Sequence, residues 1–433
     1  TTSDSIDEGL PSGTLVGSLA VINTNTPFSY SLVESGSYPD NASFDLTGGS
    51  SSNLMMAEPI DYETKSSYTI RVLAAETGGG SLLLTNTFTI AVNQDEKQYF
   101  IIHGAPNQTS LQNTEFPPMD PGSRRQVAFA PLLLPLVTSV GDLQNAVNAC
   151  LDSAERSGYP VFFHVDDWNH PPIAPDQNPS SLEYQNDPEM VEWTAFPAEG
   201  EEHGPLLVRR WLNWGSWQVL GPSPNFESPT FRELMRERLA DGIAKPIAER
   251  VEKWKQEGRY YLFAGIDVGW ETGYYTMDHS APGMEPGENN INTGYAALHA
   301  RGHDAASVAQ VAIANGITER EAHKLLMVDV KRDYTAFLTR AVHEGGISTN
   351  RIYTHYPSCG FGPQHADYEA LKNDGRHSPI EATINDYSRT GFTGYTTGNQ
   401  QGIAELLAEH GRSKFGIVEL NFFPDLLQEG YAY

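Results

Sequence analysis

The chain has 433 residues with 55 Asp and Glu against 28 Lys and Arg, a formal net charge of −27 that argues against a nucleic-acid partner. Hydrophobic residues at 39% and aromatics at 10% suffice for sizeable cores, and no window approaches the roughly 18 uninterrupted apolar residues of a membrane span. Its length exceeds the size at which one core keeps growing, which predicts two domains. The opening Thr1, Thr2 and Ser3 in place of Met suggest a mature or trimmed product. Cys150 and Cys359 are too few for a disulfide framework, lack zinc spacing, and read as buried thiols.

Residues 1–94 are rich in Ser, Thr, Gly and Asn, with short alternating runs such as Tyr68 to Ala74 and Thr87 to Val92 between turn clusters. That texture predicts an all-β sandwich. The run IDEGLPSGTLVG from Ile6 to Gly17 resembles the first strand of a cadherin-like domain. Phe44 to Leu46, IDYET from Ile60 to Thr64 and the Tyr68 strand follow in that family's order. The resemblance implies a cadherin-like module, with Glu8, Asp61 and Glu63 as ligands of a structural calcium. One departure is Ala75 to Gly78, which stands where the family usually has an aspartate.

After Lys97 the pattern changes to strands alternating with amphipathic helices, as in a parallel α/β sheet. Tyr99 to Gly104 predicts a first strand, Val140 to Gly158 a helix, and Pro160 to Trp168 a second strand. Leu206 to Trp214 predicts a third, and a helix from Thr230 to Gln256 leads into YYLFAGIDVGWET, Tyr260 to Thr272. Its first residues form a near-continuous apolar run suited to a strand buried on both faces, and Glu271 follows directly after Trp270. Residues 276–292 predict a long loop, then helices at Asp304 to Ala314 and Thr318 to His343, the latter opened by a Thr318/Glu321 capping box. Arg351 to His355, Ala382 to Asp386 and Phe415 onward predict strands five, six and seven.

Seven strands in alternation approach the eight of a (β/α)8 TIM barrel over residues 97–433. Glu271 then closes strand four and Glu419 lies at the end of strand seven. This arrangement resembles the retaining glycoside hydrolases whose acid/base and nucleophile stand on those two strands, and the resemblance implies that Glu271 is the acid/base and Glu419 the nucleophile. Such chemistry needs two carboxyls about 5–5.5 Å apart, one protonated and one ionised, and like charges that close divide the roles by raising one pKa. Many of those enzymes carry Asn before the acid/base; here it is Trp270.

The surroundings suit sugars. Trp168, Trp193, Trp211, Trp214, Trp217 and Trp270 lie in or beside predicted strand ends and loops, where indole faces can stack on pyranose rings, with core packing as the competing account. Trp254, on the long helix, reads as core. Asp166, Asp167, Trp168 and Asn169 close strand two and could hydrogen-bond sugar hydroxyls, Asn213 on strand three is a further substrate candidate, and Arg209 with Arg210 could grip a sulfate or uronate. His355 and Tyr356 resemble residues that orient the nucleophile, and Asn385 is a further substrate candidate.

The sequence thus predicts a secreted or cell-surface, two-module enzyme of a marine bacterium, with a sandwich ahead of a barrel. It would cleave a polysaccharide or oligosaccharide, endo-acting on an algal polymer such as a sulfated fucan or galactan, with no cofactor for catalysis. Two rivals stand beside this. One is a metal-dependent barrel hydrolase or deacetylase built on His103, His164, Asp166, His170 and His355. The other is a non-catalytic carbohydrate-binding protein.

Overall fold

The computed structural model describes residues 5–22, 26–33, 36–46, 52–62, 65–78, 80–93, 97–102, 107, 109, 117–167, 187–207, 210–213, 217–269, 293–355, 380–395, 400–412 and 414–421. The protein is multidomain, with a β-sandwich-like N-terminal region ahead of a region of helices and curled parallel sheet.

The N-terminal region contains β1 (Ser5–Asp7), β2 (Leu15–Ser18), β3 (Phe28–Leu32), β4 (Phe44–Leu46), β5 (Asn53–Met56), β6 (Ser67–Glu76) and β7 (Leu83–Asn93). One sheet runs β1-β7-β6-β3 and the other β2-β5-β4. Alternation builds the core: Tyr68, Ile70, Val72 and Ala74 of β6 are buried while the residue types between them face outward, as the period of a strand requires. Tyr68, Ile70 and Val72 meet Ile6, Val16, Leu54, Met56, Ile90 and Val92 in one cluster. The single strand expected from Ile6 to Gly17 is two strands in different sheets. Gly9 at φ 71° and Gly13 at φ 82° turn the chain between them, with Pro11 inside the turn.

The second region opens with β8 (Gln98–Ile102), β9 (Arg125–Phe129) and β10 (Leu132–Leu133), followed by α1 (Val140–Ser157) and β11 (Val161–Val165). Next come β12 (Arg210–Asn213) and β13 (Trp217–Leu220). α2 (Pro229–Glu237) continues through a π-helical stretch, Arg238–Ala244, into α3 (Lys245–Gln256). A 3₁₀ turn, Tyr260–Leu262, feeds β14 (Phe263–Val268), and α4 (Tyr295–Ala300), α5 (Ala305–Asn315) and α6 (Glu319–Glu344) follow. The chain continues through β15 (Ile352–Thr354), β16 (Thr390–Tyr395), α7 (Gln400–Glu409) and β17 (Phe415–Asn421).

Strands β8, β9, β11, β14 and β15 pair in parallel in chain order. A parallel bridge from Tyr353 to Arg389 leads to β16, which pairs in parallel with β17. The sheet curls, because Tyr99 and Ile101 of β8 gather with Ala128, Phe162, Ala264, Tyr353 and Val418 in one apolar cluster. No ladder joins β8 to β17 among the described residues, so a closed barrel is not present there. The convex side carries the large core, in which Val161, Phe163, Val165, Phe263, Ile266, Val268 and Ile352 pack against α1, α2, α3 and α6. β11 and β14 are buried along their whole length, the pattern expected of strands covered on both faces.

Three expectations change. The strand expected over Leu206 to Trp214 is β12, which among the described residues pairs with β13 as an antiparallel hairpin and not with the sheet. Ala382 to Asp386 is no strand, since Ile380–Thr383 is a 3₁₀ turn and the sixth strand is β16. Gly391 occupies β16 because a Cβ there would come within 2.2 Å of the Thr354 carbonyl, which dilutes the apolar signal of the strand. β9 was not foreseen. It is short and opens with Arg125 and Gln126, and the buried Gln126 amide is tied back to the carbonyls of Asp120 and Ser123.

Candidate active site at the strand ends

Alternation along β11 sorts its residues between the two sides of the curled sheet. Phe162 belongs to the inner apolar cluster, so His164 and then Asp166 continue on that concave side, while Val165 and Asp167 belong to the other. The ladder sets Asp267 beside both His164 of β11 and Tyr353 of β15. His355 lies two residues beyond Tyr353. The concave side therefore carries an aromatic floor, with Phe162 5.9 Å from Tyr353, and a polar storey above it.

That storey is buried and internally bonded. His164 Nδ1 is 2.8 Å from Asp267 Oδ2, with side chains 1% and 0% exposed, and Asp267 Oδ1 accepts the Val165 N–H at 3.3 Å. An ionised carboxylate only accepts, so paired with one the imidazole donates through Nδ1. Phe162 meets the imidazole edge-on at 5.2 Å, which fixes the ring further. Asp166 and His355 are buried close to the strand ends. Buried charge is expensive, and a set of it at the C-terminal ends of parallel strands is where α/β enzymes carry their chemistry.

On the convex side the buried Asp167 acts electrostatically on Lys331 of α6. The Lys331 ammonium is 2% exposed and has no hydrogen-bond partner among the described residues, and burial pulls its pKa down to about 8. Asp166 and Asp167, read together in the sequence, therefore serve opposite sides of the sheet. A third buried acid, Glu192, accepts the N–H groups of Gly294, Ala296 and Ala297 at 2.9, 3.1 and 3.3 Å, tying the 187–207 segment to the start of α4. Burial nevertheless raises its pKa to about 7, against the pull of those N–H groups.

The other predicted residues divide as follows. Glu271, Trp270, Trp168, Arg209, Trp214, Tyr356, Glu63, His103 and His170 lie outside the described residues. The backbone of Glu419 pairs with Thr393 within β17. Trp211 and Asn213 stand in the β12–β13 hairpin, opposite Val219 and Trp217. Asn385 is used locally: its Oδ1 accepts the Tyr387 N–H at 2.8 Å and the Thr339 hydroxyl at 3.1 Å, which shapes a turn. Trp193 is buried, donating to the Pro188 carbonyl at 2.9 Å, and Trp254 is fully buried, so both pack as core. Cys150 is a partly buried thiol whose pKa burial raises to about 11, which keeps it unreactive.

Of the groups expected to hold a metal, three are engaged by protein atoms, while Glu63, His103 and His170 lie outside the described residues. Among the described residues no group of three His, Cys, Asp or Glu could hold an ion. His164 Nδ1 is engaged by Asp267. Asp61 Oδ2 takes the Lys255 ammonium at 2.8 Å, and Glu8 Oε2 accepts the Tyr62 N–H at 3.1 Å. No helix among the described residues is long and apolar enough to cross a membrane.

Asp267, Glu192 and Lys331 were not singled out from the sequence, yet signals existed. Asp267 is an acid inside the apolar run FAGIDV, and Lys331 falls four residues after Met327 on the buried stripe of α6. Glu192 had no such mark.

No family model and no curated protein matches the chain. Among solved structures it is similar to protocadherin gammaB7 EC3-6, at 28% identity and a TM-score of 0.17, over 21% of this chain and 19% of that one. It is also similar to human protocadherin-24 EC1-2, at 19% identity and TM-score 0.18 over 21% and 39%. Human CDH23 EC21-23 matches at 18% and 0.18, over 21% and 31%. The chain thus spans well under half of each of these.

Proposed function

We propose that the protein is a retaining glycoside hydrolase that cleaves a polysaccharide, with Glu271 as acid/base and Glu419 as nucleophile on a barrel-type scaffold. One observation carries this reading. Counted along the parallel sheet, β14 is the fourth strand and β17 the seventh. Glu271 follows the last residue of β14 by three positions, and Glu419 lies within β17. The buried storey of His164, Asp166, Asp267 and His355 beside the end of β14 supports a reaction site at that end of the sheet. In this reading a protonated Glu271 donates to the leaving glycosidic oxygen while Glu419 attacks the anomeric carbon, and water then releases the sugar with Glu271 as base. The His164–Asp267 pair orients the site and needs no metal to do so.

The same reading makes the substrate an algal polymer, a sulfated fucan or galactan, attacked internally by a secreted or cell-surface enzyme. The test is release of new reducing ends from a panel of algal and plant polysaccharides, with and without chelator. Release that survives the chelator is expected. Release that the chelator abolishes would replace this reading with a metal-dependent hydrolase, and no release from any polymer would leave the carbohydrate-binding alternative.

A further inference from the structure

The sandwich meets the second region at the N-terminal end of the fourth strand, opposite the strand ends that carry the candidate site. Lys255, in the last turn of α3, reaches across to it. Its ammonium is 2.8 Å from Asp61 Oδ2 and 5.2 Å above the Tyr260 ring, and the side chain is buried. Tyr260 begins the turn that feeds β14, and its hydroxyl accepts from Arg351 Nε at 3.2 Å. The Arg351 guanidinium in turn lies 4.8 Å from the Tyr260 ring centroid and 5.2 Å from that of Tyr99 on β8. A line of alternating charge and aromatic face thus runs from a sandwich carboxylate to the starts of β8, β14 and β15.

The backbone fits as closely. A Cβ on Gly9, which sits at φ 71°, would fall 2.5 Å from Tyr260 Cδ1, so only glycine brings the sandwich this near. Pro11 packs over Gly258 in the same way, where an added Cβ would stand 3.2 Å from the proline ring.

We infer that Lys255 is the cation of this junction: its ammonium occupies the carboxylate edge that a divalent ion would need, and it holds the sandwich as a rigid base of the curled sheet without metal. A divalent ion bound through that Asp61 oxygen would have to displace the ammonium or share the carboxylate with a second cation. The sandwich is then a brace for the strand that leads to Asp267 and Glu271, rather than a module swinging on a linker. This inference does not depend on the proposed hydrolase activity.

Calorimetry of the full chain tests it. Wild type is expected to unfold in one transition, unmoved by EDTA or by added calcium chloride. Lys255→Met should separate the sandwich transition or lower it by about 5 °C, and Lys255→Arg should restore the single transition. A wild-type transition raised by calcium and lowered by EDTA would overturn the inference. So would a Lys255→Met chain whose single transition is unmoved.

Discussion

The two regions of the molecule handle polarity in opposite ways. In the sandwich, β6 alternates buried Tyr68, Ile70, Val72 and Ala74 with more exposed residues, and the buried core is aliphatic and aromatic, with Glu8 a buried acid at its edge. In the curled sheet, β11 and β14 are buried throughout, yet His164 and Asp267 sit inside them and Asp166, Asp167, Glu192, Lys331 and His355 are buried around them. A sandwich of this kind needs nothing beyond apolar burial, about 1.5–3 kcal/mol per large side chain. The second region keeps charges that a purely structural core would have replaced by apolar groups, often with a gain in stability. Under the proposed function, the contrast makes the first region scaffold and the strand ends of the second the place to look for chemistry.

The sharpest way to break that contrast is Asp267→Asn. It leaves the His164 imidazole without its carboxylate, and we expect activity to fall by about 10² or more and stability by roughly 3 kcal/mol. A variant that unfolds normally and keeps full kcat would remove the pair from the site. Ile70→Ala in the sandwich should cost about 2–4 kcal/mol in denaturant midpoints while leaving kcat of the folded fraction unchanged. A kinetic effect there would mean that the scaffold region takes part in catalysis.

Glu192 sharpens the comparison through pH. Its carboxyl is raised to about 7 in the folded state, so between an unfolded value of about 4.3 and 7 the native chain holds a proton that the unfolded chain has lost. The contribution of this carboxyl to stability is therefore fully present below that window and is lost as pH rises through it, by roughly 4 kcal/mol at most. Glu192→Gln should flatten that slope in urea titrations from pH 4.5 to 7.5. Lys331→Met is the smallest of the four effects and runs the other way. Removing a buried ammonium that makes no hydrogen bond among the described residues should raise stability by about 1–2 kcal/mol at pH 7, less what its attraction to Asp167 contributes. If Lys331 serves the site through Asp167, the same variant loses activity; a stabler and fully active variant would make it a structural relic.

Much of this was legible in the sequence, though partly through compensating errors. The helix Glu319–Glu344 and its Thr318/Glu321 box follow directly from spacing and are present with both reciprocal bonds. Strand numbering survived for a less direct reason. The sequence counted the β12 hairpin as a sheet strand and overlooked β9, and these two mistakes cancel to leave β14 fourth. Substituting Ala382 to Asp386 for β16 likewise left β17 seventh. Hairpin and sheet strand share local β-propensity, and only long-range pairing tells them apart. The candidate site was half legible. His164 and Asp166 stood at a recognisable strand end, but the role of Asp267 depends on the register that brings β14 beside β11, which no local pattern encodes.

The most direct test of the central claim is the rate of reducing-end release by Glu271→Gln and Glu419→Gln, measured beside wild type on the best polymer and at matched folded fraction. The account predicts losses of about 10³-fold or more in both, with unfolding midpoints close to wild type. Two folded variants that cleave at the wild-type rate would contradict it, and would move the search for the reacting groups to Asp166, Asp267 and His355.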